Sequence, residues 1–199
     1  GGAAGPADRA MRIDVVTLFP AMVGEAAKVG ITGRAAERGL WSLRCWNPRD
    51  FATDAHRTVD DRPYGGGPGM VMMAAPLAAA SAAARGAQRG DGVARSHTIY
   101  LTPAGRPLTH ARVVELAADR ATGLVLLAGR YEGIDERLVE REVDEEIAVG
   151  EFVFAAHVVR QREVAVFFQI HGRVPADQAV AVFEDFRHRS RDAADADGA

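Results

Sequence analysis

Gly123–Ala128 reads GLVLLA and runs directly into Gly129–Arg137, GRYEGIDER. Six consecutive residues without a polar side chain predict a strand buried on both faces, which is the pattern of a sheet with helices packed on either side. Downstream, Ile134–Arg141 has the spacing of a helix, and Glu146–Val149 leads to a turn at Gly150. Upstream, Thr109–Asp119 reads as a helix with Thr109 as its cap. Before it, Thr98–Leu101 reads as a strand ending in Thr102-Pro103. Further out, Arg12–Phe19 and Trp41–Trp46 are predicted strands, while Ala21–Val29, Thr32–Arg38 and the alanine-rich Ala74–Ala87 are predicted helices. Strands alternating with helices predict an α/β layered fold with a mostly parallel sheet. Ligands of such folds sit beyond the carboxyl ends of the strands. That places candidate sites at Leu101-Thr102-Pro103, at Gly129–Gly133 and at Gly150–Phe154.

The chain has 199 residues, 24 basic against 27 acidic side chains and a single cysteine, Cys45. The length suits one domain with an appendage. One cysteine excludes a disulfide framework or a thiolate-rich zinc site built by this chain alone. The six histidines show no HxH or HExxH spacing, so no protein metal centre is expected. No apolar run has the roughly 18 residues of a membrane span, so no membrane partner is expected and a cytoplasmic setting follows. Gly1–Ala10 read as an added, disordered leader before Met11, and the acidic-alanine tail from about residue 192 reads as disordered. Lys28 is the only lysine, which leaves arginine to carry the positive charge. A pI near 6.1 argues against an indiscriminate nucleic-acid binder, but a selective one needs only a local patch.

Asn47–Gly69 loses all periodicity and carries three prolines and four glycines, the composition of a functional loop. Within it Gly65, Gly67 and Gly69 match GxGxG. The context is wrong for a dinucleotide loop, because Arg62-Pro63 precedes it and Pro68 interrupts it. A flexible turn is one reading; a backbone surface that a large substrate approaches closely is the other. In GRYEGIDER, glycines bracket an aromatic ring and a carboxylate just past a buried strand, which suits a heteroaromatic ligand. The plain alternative is a solvated acidic helix start. Position favours Glu132 and Asp135 over Glu140 and Glu142.

Taken together, VTLFPxM (Val16–Met22), GITGRA (Gly30–Ala35), NPRDF (Asn47–Phe51), HRTVDDRPYGGGPGMVM (His56–Met72), YLTPAGRPL (Tyr100–Leu108), LLAGRYEGIDER (Leu126–Arg137) and VDEEIAVGEFV (Val143–Val153) closely resemble bacterial tRNA (guanine-N1)-methyltransferase. The resemblance runs in order from Met11 to Phe154. It implies a SPOUT-type fold with a C-terminal trefoil knot, a homodimer, S-adenosylmethionine as cofactor and tRNA, not DNA, as partner. A magnesium ion is an additional cofactor of the family. The implied reaction methylates N1 of the guanosine 3′ of the anticodon. The implied cofactor pocket comprises Tyr100, Leu101, Thr102, Pro103 and Gly105; Tyr131, Glu132 and Gly133; and Val149, Gly150, Phe152, Val153 and Phe154. Thr102 and Phe152 stand where serine and tyrosine are common. Glu132 and Arg130 are the implied catalytic pair. Asp61, Gly65, Gly66, Gly67 and Asp135 face the substrate.

After Phe154 the sequence departs from the family pattern, giving residues 11–154 as the methyltransferase domain and 155–199 as a divergent, truncated C-terminal region. Ala155–Arg160 replaces a Ser-Gly-Gly-Glu-Leu-Pro type segment, and a frameshift accounts most simply for so abrupt a change. An ungapped extension puts Asp185 at the position of the family's catalytic aspartate and Ile170 at that of its catalytic arginine. The alternative reading is a non-catalytic SPOUT-like remnant with weak cofactor or RNA binding.

Overall fold

The computed structural model describes residues 10–64, 66, 69–150, 154–157 and 165–168. Residues up to Val149 form one compact unit and those from Gly150 a second. In the first, the strands β1 (Met11–Val16), β2 (Trp41–Trp46), β5 (Arg95–Pro107), β6 (Thr122–Ala128) and β7 (Glu145–Ala148) build one sheet in the order β2-β1-β6-β5-β7. Every neighbouring pair is parallel. The apolar strand predicted at Gly123–Ala128 is thus β6, at the centre of a fully parallel sheet.

Alternation along β6 divides the core. Val125 and Leu127 face α3 (Ala74–Gly90) and α5 (Glu136–Glu142), where they join Val16, Leu77, Ala80, Ala84, Tyr100, Ile134 and Leu138. Leu124 instead joins Ile99 and Ile147, with Leu126 and Leu116 packed against them. Leu116 comes from α4 (His110–Ala118). Both faces of the sheet are covered, as the uninterrupted run requires. The alanines of α3 earn their place by size: Ala80 and Ala84 have no exposed surface, so the helix lies close to the strands.

Element ends follow local chemistry. β1 stops at Val16 rather than Phe19 because the Thr17 hydroxyl accepts the Phe19 N–H at 3.1 Å, turning the chain. Pro20 then opens α1 (Pro20–Ala27), where its missing N–H costs nothing. α2 spans Gly30–Glu37. Thr109 caps α4 as predicted, accepting from the Arg112 N–H at 3.2 Å. The loop predicted over Asn47–Gly69 is more ordered than expected. It contains a 3₁₀ turn, Pro48–Phe51, capped by Asn47, and a two-residue strand β3 (Asp60–Asp61) antiparallel to β4 (Val71–Met72). β5 continues to Pro107 instead of ending at Leu101, with a register shift against β7 between Leu101 and Arg106. Cys45 is half-buried; burial and the nearby Asp14 charge push its thiol pKa up.

A buried polar knot of side chains ties the layers together. Asp14 has no exposed surface and accepts four hydrogen bonds. Two come from Arg12 (2.7 and 3.1 Å), one from Trp46 Nε1 (2.7 Å) and one from Gln88 Nε2 (2.9 Å). Gln88 also donates to the Leu124 carbonyl at 3.0 Å, and Gly123 leaves room for it, since a Cβ there would lie 2.6 Å from Gln88 Cδ.

At the amino ends of the strands, Glu145 accepts from Arg112 Nε at 3.0 Å and lies 3.1 Å from His97 Nε2. The Arg112 hydrogen bonds hold its pKa below the ordinary glutamate value. A depressed carboxyl pKa stabilises the fold above the unfolded-state value and loses that contribution as pH falls through the folded one. Urea unfolding midpoints are therefore expected to drop between pH 6 and pH 3, and Glu145→Gln is expected to lessen that drop. An unchanged pH dependence in the variant would remove Glu145 from the acid sensitivity.

In the second unit, β8 (Phe154–His157) pairs antiparallel with β9 (Ala165–Phe168), from Phe154 opposite Phe168 to His157 opposite Ala165. The knot and the tail expected of the C-terminal region lie outside the described residues.

Candidate active site

Two of the segments singled out in the sequence lie at the carboxyl ends of β6 and β5. After Ala128 the chain turns sharply through Gly129–Gly133. Tyr131 adopts φ of 60° and Gly133 φ of 145°, a path that glycine follows freely and tyrosine only where its surroundings compel it. The buried Tyr100 ring lies beneath this turn. A Cβ on Gly129 would sit 3.1 Å from Tyr100 Cε2, and one on Gly133 would sit 3.4 Å from its hydroxyl. Burial pushes the Tyr100 phenol pKa up, so the ring is a neutral floor.

The turn is fastened to β4. Glu132 N donates to the Met70 carbonyl at 3.0 Å, Met72 N to the Gly133 carbonyl at 2.9 Å, and Asp135 N to the Met72 carbonyl at 3.0 Å. Arg130 N approaches Met72 Sδ at 3.3 Å. The Tyr131 hydroxyl donates to Asp60 Oδ1 at 3.2 Å, and burial together with the Asp60 charge raises its pKa. The exposed Glu132 side chain turns toward the glycine loop, where Oε2 accepts the Met70 N–H at 2.8 Å.

The predicted site residues divide into those brought together and those placed elsewhere. Tyr131, Glu132 and Gly133 share the turn, and Asp61 lies one strand away, paired with Val71. Asp135 caps α5, accepting from Arg137 N at 3.0 Å; the Arg137 hydrogen bonds hold its pKa low. The helix-start reading of Asp135 is the one this cap bears out. The exposed Arg130 directs its guanidinium over the Phe19 ring, 5.2 Å from the centroid, rather than to Glu132. Gly66 has φ of 88° and open space where a Cβ would stand. Gly65, Gly67, Phe152, Val153 and Asp185 lie outside the described residues, and Phe154 is described only as the first residue of β8. On the outer side of the strip, Asp61, Arg62, Tyr64, Met73, Arg137 and Arg141 line an open groove of about 460 Å³.

The second cluster lies between β5 and β7. Leu101 and Arg106 are both registered on Ile147, so Thr102–Gly105 loop out between them. Gly105 presses on β7, where a Cβ would come within 2.5 Å of Glu146 C and Ile147 N. The Thr102 hydroxyl accepts the Ala104 N–H at 3.4 Å, and Leu108 N donates to the Ala148 carbonyl at 2.9 Å. Val149, 60% exposed, follows β7. Backbone groups, a proline and an aliphatic side chain make a lining suited to a small, largely apolar ligand with a few hydrogen-bonding edges. Among the described residues no group of three or more His, Cys, Asp or Glu side chains is arranged to hold a metal ion.

Three residues beside this turn were not singled out in the sequence: Asp60, Met70 and Met72. The signal for them was the punctuation around VM. Glycine and proline precede Val71-Met72, yet two residues are too few to show a period.

Residues 11–174 match the family model described as tRNA (Guanine-1)-methyltransferase TrmD. The tRNA (guanine-N(1)-)-methyltransferases of Burkholderia mallei (strain SAVP1) and Burkholderia pseudomallei (strain K96243) are each 58% identical over 146 residues, which is 73% of this chain and 54% of theirs. The crystal structure of tRNA (m1G37) methyltransferase from Aquifex aeolicus is similar at a TM-score of 0.60 and 30% identity, over 73% of this chain and 62% of that one. The chain spans about half the length of the curated relatives it matches.

Proposed function

Because the chain belongs to the tRNA (guanine-1)-methyltransferase family, we propose that it methylates N1 of a guanosine lying 3′ of the anticodon in tRNA. The observation that carries this reading is the Glu132 carboxylate, held by the Met70 N–H beyond the carboxyl end of the central strand. Guanine N1 bears a proton at neutral pH and must lose it to act as a nucleophile. A carboxylate within hydrogen-bond reach takes that proton. Arg130, freed from the Phe19 ring, would offset negative charge growing on the guanine O6. A base in an anticodon loop is unstacked at small cost, so the exposed Glu132 is reachable.

Tyr100, Leu101, Thr102, Pro103 and Gly105, with Tyr131, Gly133, Val149 and Gly150, would hold S-adenosylmethionine. Phe152, Val153 and Phe154 would complete the pocket within a knotted C-terminal region. The cofactor supplies an electrophilic methyl group on a sulfonium. The chain's part is to orient the purine against it and to exclude water. Asp61, Gly65, Gly66, Gly67 and Asp135 would contact the tRNA, and Asp185 would be a further acid–base group. A magnesium ion is the further cofactor that the family resemblance implies.

The protein would work in the cytoplasm as a homodimer. No residue of α1 is buried, and Met22, Val29 and Ile31, at 65%, 71% and 78% exposed, offer an apolar surface to a second copy. Among the described residues, no helix is long and apolar enough to cross a membrane. Ala155–Arg160, which departs from the Ser-Gly-Gly-Glu-Leu-Pro type, supports a second reading as a cofactor- or RNA-binding module without turnover.

The test is transfer of labelled methyl from S-adenosylmethionine to tRNA transcripts carrying guanosine or adenosine after the anticodon, with sedimentation of the same sample. Methylation of the guanosine transcript alone, by a species of twice the chain mass, is expected. Cofactor binding by calorimetry without transfer would select the second reading, and neither binding nor transfer would overturn both.

A further inference from the structure

The strip of β3 and β4 has two sides. Asp60 and Met72 are on the side of the turn: Asp60 accepts the Tyr131 hydroxyl, and Met72 has no exposed surface. Successive strand residues point to opposite sides, so their neighbours Asp61 and Val71 line the open groove of about 460 Å³. The groove has a small-residue floor. Ala74 and Ala78 lie four residues apart on one face of α3, and neither carries an atom beyond Cβ. Its rim is cationic and aromatic. The chain after β3 supplies Arg62 and Tyr64, and α5 supplies Arg137 and Arg141.

Three guanidinium groups and two carboxylates line this groove. One pair cancels, since Arg137 Nε donates to Asp135 Oδ1 at 2.9 Å. Arg62 meets Asp61 only through its backbone N–H, at 2.7 Å, and its guanidinium has no partner among the described residues. Arg141, 68% exposed, reaches Glu142 only at 3.5 Å. Most donors of these two arginines are therefore free, and beside them the Tyr64 ring is fully exposed. Free guanidinium groups track phosphates, and an exposed ring over an apolar floor stacks a base. An acidic peptide would use the arginines but leave the ring and the floor without a function.

We infer that this groove holds single-stranded RNA, the part of the anticodon loop next to the nucleotide at the Glu132 turn, with a base on Tyr64 and phosphates on Arg62 and Arg141. This extends the reading of tRNA as substrate and rests on it. Only the two-stranded strip separates groove from turn, so a loop with one base at the turn has its neighbours within reach of the groove. Single-stranded loops expose the base faces that such a surface needs.

The probe is an RNA hairpin copying a tRNA anticodon arm, its binding to the full chain followed by fluorescence anisotropy from about 50 to 300 mM salt. Tyr64→Leu is expected to weaken binding about 5- to 100-fold and to leave the salt dependence unchanged. The pair Arg62→Gln with Arg141→Gln is expected to weaken it and to flatten the slope of log affinity against log salt by about 1 to 2. Arg89→Gln, at the far end of α3, should bind as the native chain does. All of these side chains are on the surface, so thermal midpoints should stay at the native value, and cofactor affinity by calorimetry should too. Affinities and slopes in the groove variants equal to native would overturn the groove. Tighter capture of a polyglutamate peptide than of the hairpin would assign it to an acidic protein partner and overturn the RNA reading. If the groove variants lose hairpin affinity while the native chain transfers no methyl, the proposed reaction fails and the RNA groove stands.

Discussion

Glu132→Gln is expected to lower the rate of methyl transfer by about 10²- to 10⁴-fold, the usual contribution of a general base. The amide keeps the size of the side chain and can still accept the Met70 N–H, so the turn and its hydrogen bonds to β4 survive. What it removes is the capacity to take a proton from N1. Cofactor affinity is measured alongside by calorimetry, because Glu132 also belongs to the implied cofactor pocket. A single-turnover assay with excess protein over tRNA measures the step without interference from product release. Glu140→Gln, on the exposed face of α5, should match the native rate. A Glu132→Gln variant within a factor of two of native would remove Glu132 as the base.

The largest expected loss of stability is at Asp14. Its carboxylate collects donors from β1, β2 and α3. Asp14→Leu would leave the Trp46 N–H and one of the two Gln88 amide N–H groups without an acceptor and the Arg12 guanidinium, whose side chain is 16% exposed, without its nearest counter-charge. Arg12 keeps only Asp91, at 2.9 Å. Removing one partner from a buried ionic cluster costs about 3–5 kcal/mol, because the charges and donors left behind are no longer solvated. Denaturant unfolding monitored by Trp46 fluorescence measures it. Asp14→Asn, which keeps one acceptor oxygen, should cost less. A loss under about 1 kcal/mol for Asp14→Leu would mean that water reaches the cluster.

How much of this was legible in sequence depended on the range of the interactions. GLVLLA reported the centre of the sheet because burial on both faces leaves a mark on every residue. Trp41–Trp46 and the Thr109 cap were equally clear, each being set by a few adjacent side chains. The extension of β5 was hidden by Pro103, which read as a terminator; the strand bypasses it by looping and ends at Pro107. The strip of β3, β4 and the Glu132 turn was hidden for another reason. Its strands are two residues long, and Met70 and Glu132 are 62 positions apart. Family resemblance marked Glu132, its neighbours and the glycine loop, but not the hydrogen bond that joins Met70 to Glu132. Asp14 reads as the polar member of an alternating strand, and only the fold brings Trp46 and Gln88 to it.

The excursion Thr102–Gly105 begins and ends on one residue of β7, since Leu101 and Arg106 share Ile147 as their partner. Such a loop is a detour that returns to its point of departure. Adding or removing residues within it leaves every later pairing of β5 where it was, because the strand resumes at the same rung. This part of the chain is thus insulated from the sheet in the way a bay is insulated from the through road. It can be recut in length and composition, to suit a bulkier or smaller ligand, without asking the sheet to re-register.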